Sequence, residues 1–213
     1  MHTAHLENLI AEGEHQQQDF KFRIDDSRKI ARSLSAFANT DGGRLLVGVK
    51  DNGRIAGVRS DEEFHMVEAA AQLYTQPEVQ FELRLWEVEK KSVLEIIIRK
   101  STDRPHFAKD DKDQWKAYVR KDDQNIVANQ VLQRVWKQKA SRKGVGVAYT
   151  ETEEKLFAHL RAEGSITFSK FCRMGQIHHK EAESILVKLI CWDLIEMIIS
   201  DKGYTYQLKR EQK

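Results

Sequence analysis

A helix-sized run that ends at two consecutive glycines constrains the fold of this chain more than any other feature. Residues 27–40 carry apolar side chains at helical spacing, and Gly42-Gly43 ends that helix. A strand-sized apolar run, residues 45–50, follows at once. The sequence Asp51-Asn52-Gly53 is typical of a hairpin turn, because Asn-Gly tolerates the positive φ values of a type I′ turn. The segment therefore predicts a helix, a buried strand and a return strand over residues 54–58.

The rest of the first 140 residues mixes strands and helices. Alternating or continuous apolar residues predict strands over residues 18–23, 79–89, 92–100 and 116–120. In the strand 79–89 the inward positions are Val79, Phe81, Leu83 and Leu85. Helical spacing predicts helices over residues 5–12, 60–74 and 126–139, with Ser60 and Glu63 as a capping box for the second. This order predicts the α+β class with a mixed sheet for a first domain, residues 1–140.

The last third of the chain has a different rhythm. Gly144 and Gly146 lie in a segment of small residues, so residues 141–149 are predicted to be a linker. Beyond it the pattern predicts helices over residues 150–163, 167–174 and 178–193, followed by a hairpin over residues 195–208. Three helices and a hairpin are the order of a winged helix-turn-helix. We therefore predict a C-terminal winged-helix domain, residues 150–213.

Composition limits the kinds of protein that this chain can be. Hydrophobic residues make up 40% and charged residues 32% of the sequence, as in ordinary globular proteins. No apolar run approaches the roughly 20 residues of a membrane span. The first 14 residues carry charges where a signal peptide has an apolar core, so we expect a cytoplasmic protein without membrane contact. Cys172 and Cys191 are too few for a disulfide framework and are predicted to be reduced.

The net charge of +2 does not by itself indicate a polyanionic partner, but basic residues cluster in three places. The candidate nucleic-acid contacts are Lys116 and Arg120; Arg134, Lys137, Lys139, Arg142 and Lys143; and His178, His179, Lys180 and Lys202. Basic side chains release condensed counterions when they neutralise phosphates. The alternative for each cluster is a solvated surface with its own ion pairs. Aspartates surround Lys116, and residues 144–213 hold ten basic and ten acidic residues.

A second constellation is acidic. Glu14 and Asp19 flank the start of a predicted strand, Lys21 shares a face with Asp19, and Asp51 follows a buried strand. Carboxylates at strand ends can supply the oxygen ligands of Mg²⁺ or Mn²⁺, and the lysine could balance charge on a phosphate. The alternative is a surface ion pair of Asp19 with Lys21, with Asp51 serving only the turn.

Several of these motifs together resemble the Schlafen/Alba-type DNA-binding domain family, once labelled a divergent AAA family. The resemblance covers residues 1–140, and its most specific part is residues 36–43, Ala-Phe-Ala-Asn-Thr-Asp-Gly-Gly. It implies nucleic-acid binding and, in Schlafen proteins, metal-dependent cleavage of structured RNA such as tRNA. The older label does not imply ATP binding here, because no phosphate-binding G-x-x-x-x-G-K-[ST] loop is present.

The resemblance also sets limits on the nuclease hypothesis. The Schlafen signature places two Glu residues five apart and an Asp at the end of a later strand, which Glu14, Asp19 and Asp51 match except that Asp19 replaces Glu. Schlafen cores join two copies of the fold, whereas this chain has one, and a homodimer could supply the second. The favoured function is a DNA-binding transcriptional regulator without a cofactor. The alternatives are a Schlafen-like endoribonuclease that uses Mg²⁺ or Mn²⁺, with Glu14, Asp19 and Asp51 as ligands and Lys21 as charge stabiliser, and a protein-interaction module.

Overall fold

A computed structural model describes residues 2–58, 62–141, 149–200 and 202–209 of the chain. It divides into two compact units, Met1–Ala128 and Asn129–Lys213. The elements of the first unit are α1 (His2–Glu12), β1 (Gln18–Lys21), α2 (Ser27–Asn39), β2 (Gly43–Val47), α3 (Glu62–Tyr74), β3 (Thr75–Gln76), β4 (Phe81–Val88), β5 (Lys91–Ile98), β6 (Phe107–Lys109), β7 (Trp115–Lys121) and β8 (Gln124–Val127). Those of the second are α4 (Gln130–Ala140), α5 (Glu151–Glu163), β9 (Ser165–Thr167), α6 (Phe168–Gly175), α7 (His179–Cys191), β10 (Ile195–Ser200) and β11 (Gly203–Leu208).

The first unit is built on a mixed sheet of order β1-β2-β5-β4. β1 runs parallel to β2, whereas β5 pairs antiparallel with both β2 and β4. One apolar cluster joins α2 and α3 to buried residues of β2 and β5, such as Leu45 and Ile96. A second cluster includes Leu6 and Leu9 of α1 with Phe20 and Leu46. Because neighbouring strand positions face opposite sides, Leu45 and Leu46 serve the two clusters separately. The predicted α+β class with a mixed sheet is confirmed.

The central helix and the strand after it are fixed by local chemistry. The Asp26 carboxylate accepts a hydrogen bond from Arg28 N at 2.8 Å and caps the start of α2. At the other end Gly42 has φ +73°, and a β-carbon there would lie 2.8 Å from the Ile98 carbonyl oxygen. The chain can therefore pass directly from α2 into β2 only with glycine at this position.

A second sheet of the first unit has the order β3-β6-β7-β8. Only β7 was predicted from the sequence, because β3, β6 and β8 have two to four residues each and show too little alternation. Two further details of the prediction were wrong. Residues 54–58 form no strand, and Ile55 makes a single isolated β-bridge with Val49. The ladder does not continue, because Ala56 N and Gly57 N both donate to the same acceptor, Gly48 O. Leu85 is 57% exposed, whereas Phe81 and Leu83 of the same strand pack against the core. Ser60, the predicted cap of α3, lies outside the described residues.

In the described part of the second unit, four helices pack with the three-stranded antiparallel sheet β10-β11-β9. Its core includes Leu156 of α5, Phe171 of α6, Leu186 of α7 and Tyr206 of β11. The helix predicted over residues 150–163 begins with a capping box at Thr150, in which Thr150 N donates to the Glu153 carboxylate at 3.1 Å. The structure adds strand β9, which the sequence pattern did not predict.

The helix predicted at the end of the first domain, α4, belongs to the second unit. Val131 and Val135 of α4 lie in the same apolar cluster as residues of α7. Asn129 caps the start of this helix, and its side chain accepts a hydrogen bond from Leu132 N at 2.9 Å. Most of the predicted linker, residues 142–148, lies outside the described residues. No helix of the described residues is long and apolar enough to cross a membrane.

Candidate nucleic-acid interface

The stretch of residues 36–43 is a structural tie between α2 and the second sheet of the first unit. Asn39 is 2% exposed, and its amide nitrogen donates to the carbonyls of His106 at 2.8 Å and Tyr118 at 2.9 Å. Its amide oxygen accepts from His106 N at 2.8 Å. Thr40 Oγ1 accepts from Arg120 N at 2.9 Å. These side chains complete main-chain hydrogen bonds, so the stretch positions its neighbours and does not itself present a ligand surface.

Three of the four residues of the acidic constellation do come together. Asp19 is 3% exposed, and Lys21 Nζ lies 2.7 Å from its Oδ2. Glu14 accepts a hydrogen bond from Phe20 N at 2.9 Å. Burial raises the pKa of the Glu14 carboxyl, and its side-chain hydrogen bond with Asp19 raises that pKa further. Glu14, Asp19 and Lys21 therefore form one charged cluster at β1.

Arg120 completes this cluster, which corrects its predicted role as a surface contact. Its side chain is 1% exposed, and Nη2 lies 3.4 Å from Asp19 Oδ1 and 3.2 Å from the Gln18 carbonyl oxygen. Its guanidinium also lies 5.1 Å from the centre of the Phe37 ring. A buried arginine in such contacts balances the Asp19 carboxylate and cannot reach a nucleic acid.

Asp51 does not join the cluster. It lies exposed in the turn after β2, and among the described residues no group of three His, Cys, Asp or Glu side chains could hold a metal ion. Asp19 is already balanced by Lys21 and Arg120. The donor set implied by the Schlafen resemblance, Glu14, Asp19 and Asp51, therefore does not fit Mg²⁺ or Mn²⁺, which need several convergent oxygen ligands.

Lys116 is engaged in an ion pair with Asp110, at 2.6 Å between Nζ and Oδ2. The Asp110 carboxylate also accepts from the N–H groups of Lys112 and Gln114, and these contacts, with Lys116 the largest, lower its pKa to about 2. Arg28 and Arg32 of α2 pair with Asp113 and Asp111 in the same turn. The alternative interpretation, a loop with its own ion pairs, therefore describes this cluster better than a free basic surface does.

In the second unit, a tight turn joins α6 to α7 and leaves the start of α7 exposed. Gln176 has φ 52°, which reverses the chain after α6, and His178 precedes the first turn of α7 in an extended conformation. His178, His179 and Lys180 are all exposed. They line an open cleft of about 820 Å³ together with Cys172, Arg173, Gln176 and Ile177. The three residues predicted from the sequence are thus brought together at one surface.

The remaining basic candidates are dispersed over α4 and the β10–β11 hairpin. Arg134 is paired, with Nη1 3.0 Å from a Glu183 carboxylate oxygen, whereas Lys137 and Lys139 are exposed on α4. Lys202 is exposed in the hairpin turn. Arg142 and Lys143 lie outside the described residues.

Two sets of residues at these surfaces were not among the predicted contacts. Arg173 lines the cleft beside α7, and the signal for it was its place two residues before Gly175. Phe22 is 39% exposed after β1, with Lys50 Nζ 5.1 Å and Arg23 Cζ 6.0 Å from its ring centre. Its signal was the order Lys21-Phe22-Arg23, an aromatic residue between two basic ones at a strand end.

Comparison with known protein families shows to which family the chain belongs. The family model described as Schlafen, AlbA_2 matches residues 14–129, which are more than half of the chain. The chain belongs to the Schlafen, AlbA_2 family. The resemblance inferred from residues 36–43 is thereby confirmed. The match to the Schlafen, AlbA_2 family ends where the second unit begins, so the winged-helix domain stays a prediction.

Solved structures similar to this Schlafen, AlbA_2 protein include two at 19% sequence identity. The DIP2311 protein from Corynebacterium diphtheriae aligns over 76% of this chain with a TM-score of 0.46, and the chain spans only 39% of that protein's length. The N-terminal domain of a protein from Nitrosomonas europaea, named as related to the ATP-dependent DNA helicase RecG, aligns over 68% of this chain and 97% of that domain, with a TM-score of 0.42. No curated protein matches the chain.

Proposed function

We propose that this protein binds double-stranded DNA through its second unit and acts as a regulator of transcription. The observation that carries the proposal is the exposed start of α7, where His178, His179 and Lys180 follow a tight turn from α6. A helix that begins after such a turn can enter the major groove with its first residues against base edges. Membership of the Schlafen, AlbA_2 family supports a nucleic-acid partner, because the resemblance implies one.

The order of elements in the second unit supports the same proposal. α5, β9, α6, α7 and the β10–β11 hairpin follow one another as the elements of a winged helix-turn-helix do. In that arrangement α7 is the recognition helix and the hairpin is the wing, so Lys202 at the hairpin turn is the candidate phosphate contact. The N-terminus of a 13-residue helix such as α7 also favours a phosphate, because its first N–H groups carry partial positive charge.

Charge balance sets the expected strength of binding. Glu181 is exposed in the first turn of α7 and opposes phosphate approach, whereas the Glu183 charge is balanced by Arg134. Four cationic or titratable side chains, Arg173, His178, His179 and Lys180, line the cleft. We therefore expect binding that is measurable at low salt and falls steeply as salt rises, since each phosphate contact adds about 0.9 to the slope of log K against log salt.

The test is fluorescence anisotropy of a labelled mixed-sequence duplex at about 50 and 200 mM salt, the range over which counterion release changes affinity most visibly. Arg173→Ala and Lys180→Ala should each weaken binding and reduce the salt slope by about 1, as the loss of a phosphate contact does. The control is Lys155→Ala, because Lys155 is exposed on α5 and pairs with Glu151. If the full chain binds no duplex at 50 mM salt, the proposal is wrong and a protein-interaction module is the better explanation.

The nuclease alternative gains no support from the geometry. Asp51 is not brought to Glu14 and Asp19, and Asp19 is already balanced by two basic side chains. We therefore derive no metal-dependent step for this chain. Incubation with tRNA and Mn²⁺ is the direct check, and cleavage that is abolished in Asp51→Ala would reverse this conclusion.

A further inference from the structure

The exposed ring of Phe22 lies on the first unit, in a different part of the chain from the α6–α7 turn. Phe22 follows the last residue of β1, and 39% of its surface is accessible. Lys50 Nζ lies 5.1 Å and Arg23 Cζ 6.0 Å from the centre of the ring, so two cations contact its π-system. We call Phe22, Arg23, Lys50 and Arg54 the Phe22 platform.

The backbone beneath the platform is tightly held. Gly48 N donates to the Lys21 carbonyl at 2.8 Å, which fastens the end of β2 to the end of β1. Lys50 N donates to Arg54 O at 3.0 Å, and Gly53 N donates to Lys50 O at 2.7 Å. Gly48 has φ +94°, and a β-carbon there would lie 2.9 Å from Gly57. Lys50 and Arg54 are therefore presented by a constrained turn and lose little backbone freedom when a ligand binds.

The charges around the ring leave two cations available. Arg23 is paired with Asp25 at 2.8 Å, and Lys21 is paired with Asp19. Within the described parts of the chain, neither Lys50 nor Arg54 takes part in an ion pair, and both are exposed. Asp51 is the exposed acid of the same turn and partly opposes them.

We propose that the Phe22 platform binds single-stranded nucleic acid, with an unpaired base stacked on the Phe22 ring and the adjoining phosphates contacted by Lys50 and Arg54. This proposal rests on the proposed nucleic-acid role of the protein, but on a different unit and a different form of nucleic acid. Base stacking on an aromatic ring combined with basic side chains is how proteins bind single strands without sequence preference. A duplex does not satisfy the site, because its bases are stacked on one another and only their edges reach the grooves.

The first experiment measures binding of the full chain to a labelled oligo(dT) of about ten nucleotides, within the range of site sizes known for single strands. Phe22→Ala and Phe22→Leu should each weaken binding about tenfold, because both remove the aromatic ring. Phe22→Leu keeps the apolar bulk of the side chain, so its loss of binding reports the ring alone. Phe22→Tyr should bind within about twofold of the natural protein, since it keeps a stacking face. The control is Leu85→Ala, an exposed apolar residue on β4 whose loss should change nothing.

A second probe separates stacking from charge. An abasic oligonucleotide of the same length keeps the phosphates but has no bases, so Phe22→Ala should bind it as well as the natural protein does. Lys50→Ala should weaken binding to both probes, and Asp51→Asn should strengthen binding to both, because each changes the attraction for phosphate. Hydrogen exchange of β1 and β2 in every variant verifies that the first unit remains folded.

The outcomes distinguish this proposal from the proposed function. The platform proposal is wrong if the natural protein, Phe22→Ala and Phe22→Leu bind oligo(dT) equally. It is also wrong if Phe22→Ala loses the same amount of affinity for the abasic probe as for the base-containing probe. Neither result depends on the duplex. Failure of the duplex to bind, with Phe22-dependent binding of oligo(dT) intact, overturns the role of α7 and leaves the platform standing.

Discussion

Replacement of Asn39 tests whether the family stretch is structural. In Asn39→Ala the N–H of His106 and the carbonyl of Tyr118 lose a buried partner, whereas the carbonyl of His106 keeps Ser35 Oγ at 2.8 Å. Each buried group left without its partner costs about 1–3 kcal/mol, so the first unit should lose about 2–6 kcal/mol of its free energy of unfolding. That is a large part of the roughly 5–15 kcal/mol of a typical domain.

The assay is hydrogen exchange followed by mass spectrometry, because protection of α2 amides reports the stability of the first unit separately from that of the second. The control is Asn52→Ala, since Asn52 is exposed and, among the described residues, its side chain accepts only a turn hydrogen bond from Arg54 N, at 3.1 Å. The control should cost less than about 1 kcal/mol. A loss in Asn39→Ala no greater than in Asn52→Ala would refute the argument that Asn39 is a structural tie.

Asn39→Asp refines this prediction through pH. The new carboxyl would face the carbonyls of His106 and Tyr118, to which only its protonated form can donate a hydrogen bond. Its pKa in the folded state is therefore raised above that in the unfolded state, and the protonated form stabilises the fold below the unfolded pKa. Relative to Asn39→Ala, the variant should lose stability as pH rises through the folded pKa. A difference between the two variants that does not change with pH would contradict this account.

Two further predictions concern ion pairs. Burial raises the pKa of the Glu153 carboxyl, but hydrogen bonds from Lys188 and Thr150 lower it by more, so the net pKa is below its usual value. Lys188→Met should therefore cost the second unit about 3 kcal/mol at neutral pH, and urea unfolding should show this deficit shrinking as pH falls through the natural protein's Glu153 pKa. Lys116→Met should raise the pKa of Asp110 from about 2 toward the usual range of an aspartate, which carboxyl ¹³C NMR titration measures. A pKa that stays near 2 in this variant would show that Lys116 is not the main cause of the low value.

The parts of the fold that the sequence predicted are those with strong local signals. Helix α2 and strand β2 follow from helical spacing, a double glycine and an apolar run. The start of α5 follows from Thr150, a residue type that caps helices. In each case the residues that decide the structure lie within about one helical turn of one another, so the pattern is complete in the sequence.

The parts that it did not predict depend on distant partners. Strands β6 and β8 are three and four residues long and exist because β7 lies between them. Leu85 continues the alternation of Phe81 and Leu83 but is exposed, because the elements that cover those two residues do not cover it, and no alternation pattern reveals this. Helix α4 was placed by its sequence proximity to the first unit, whereas its apolar face is completed by residues of α7, some 50 positions later. Long-range pairing overrides sequence proximity in all three cases.

The acidic constellation illustrates the same principle at the level of chemistry. Spacing correctly grouped Glu14, Asp19 and Lys21, since they lie within eight residues along one strand and its approach. It could not reveal Arg120, which arrives from β7, about 100 residues later, and is 1% exposed beside Asp19. A buried carboxylate balanced by two basic groups is a stable internal ion cluster, and a divalent cation would have to displace at least one of those groups at considerable cost. The same residue types that indicate a metal site from sequence therefore favour a structural role here, because the residue that completes the cluster is the cation Arg120 and not Asp51.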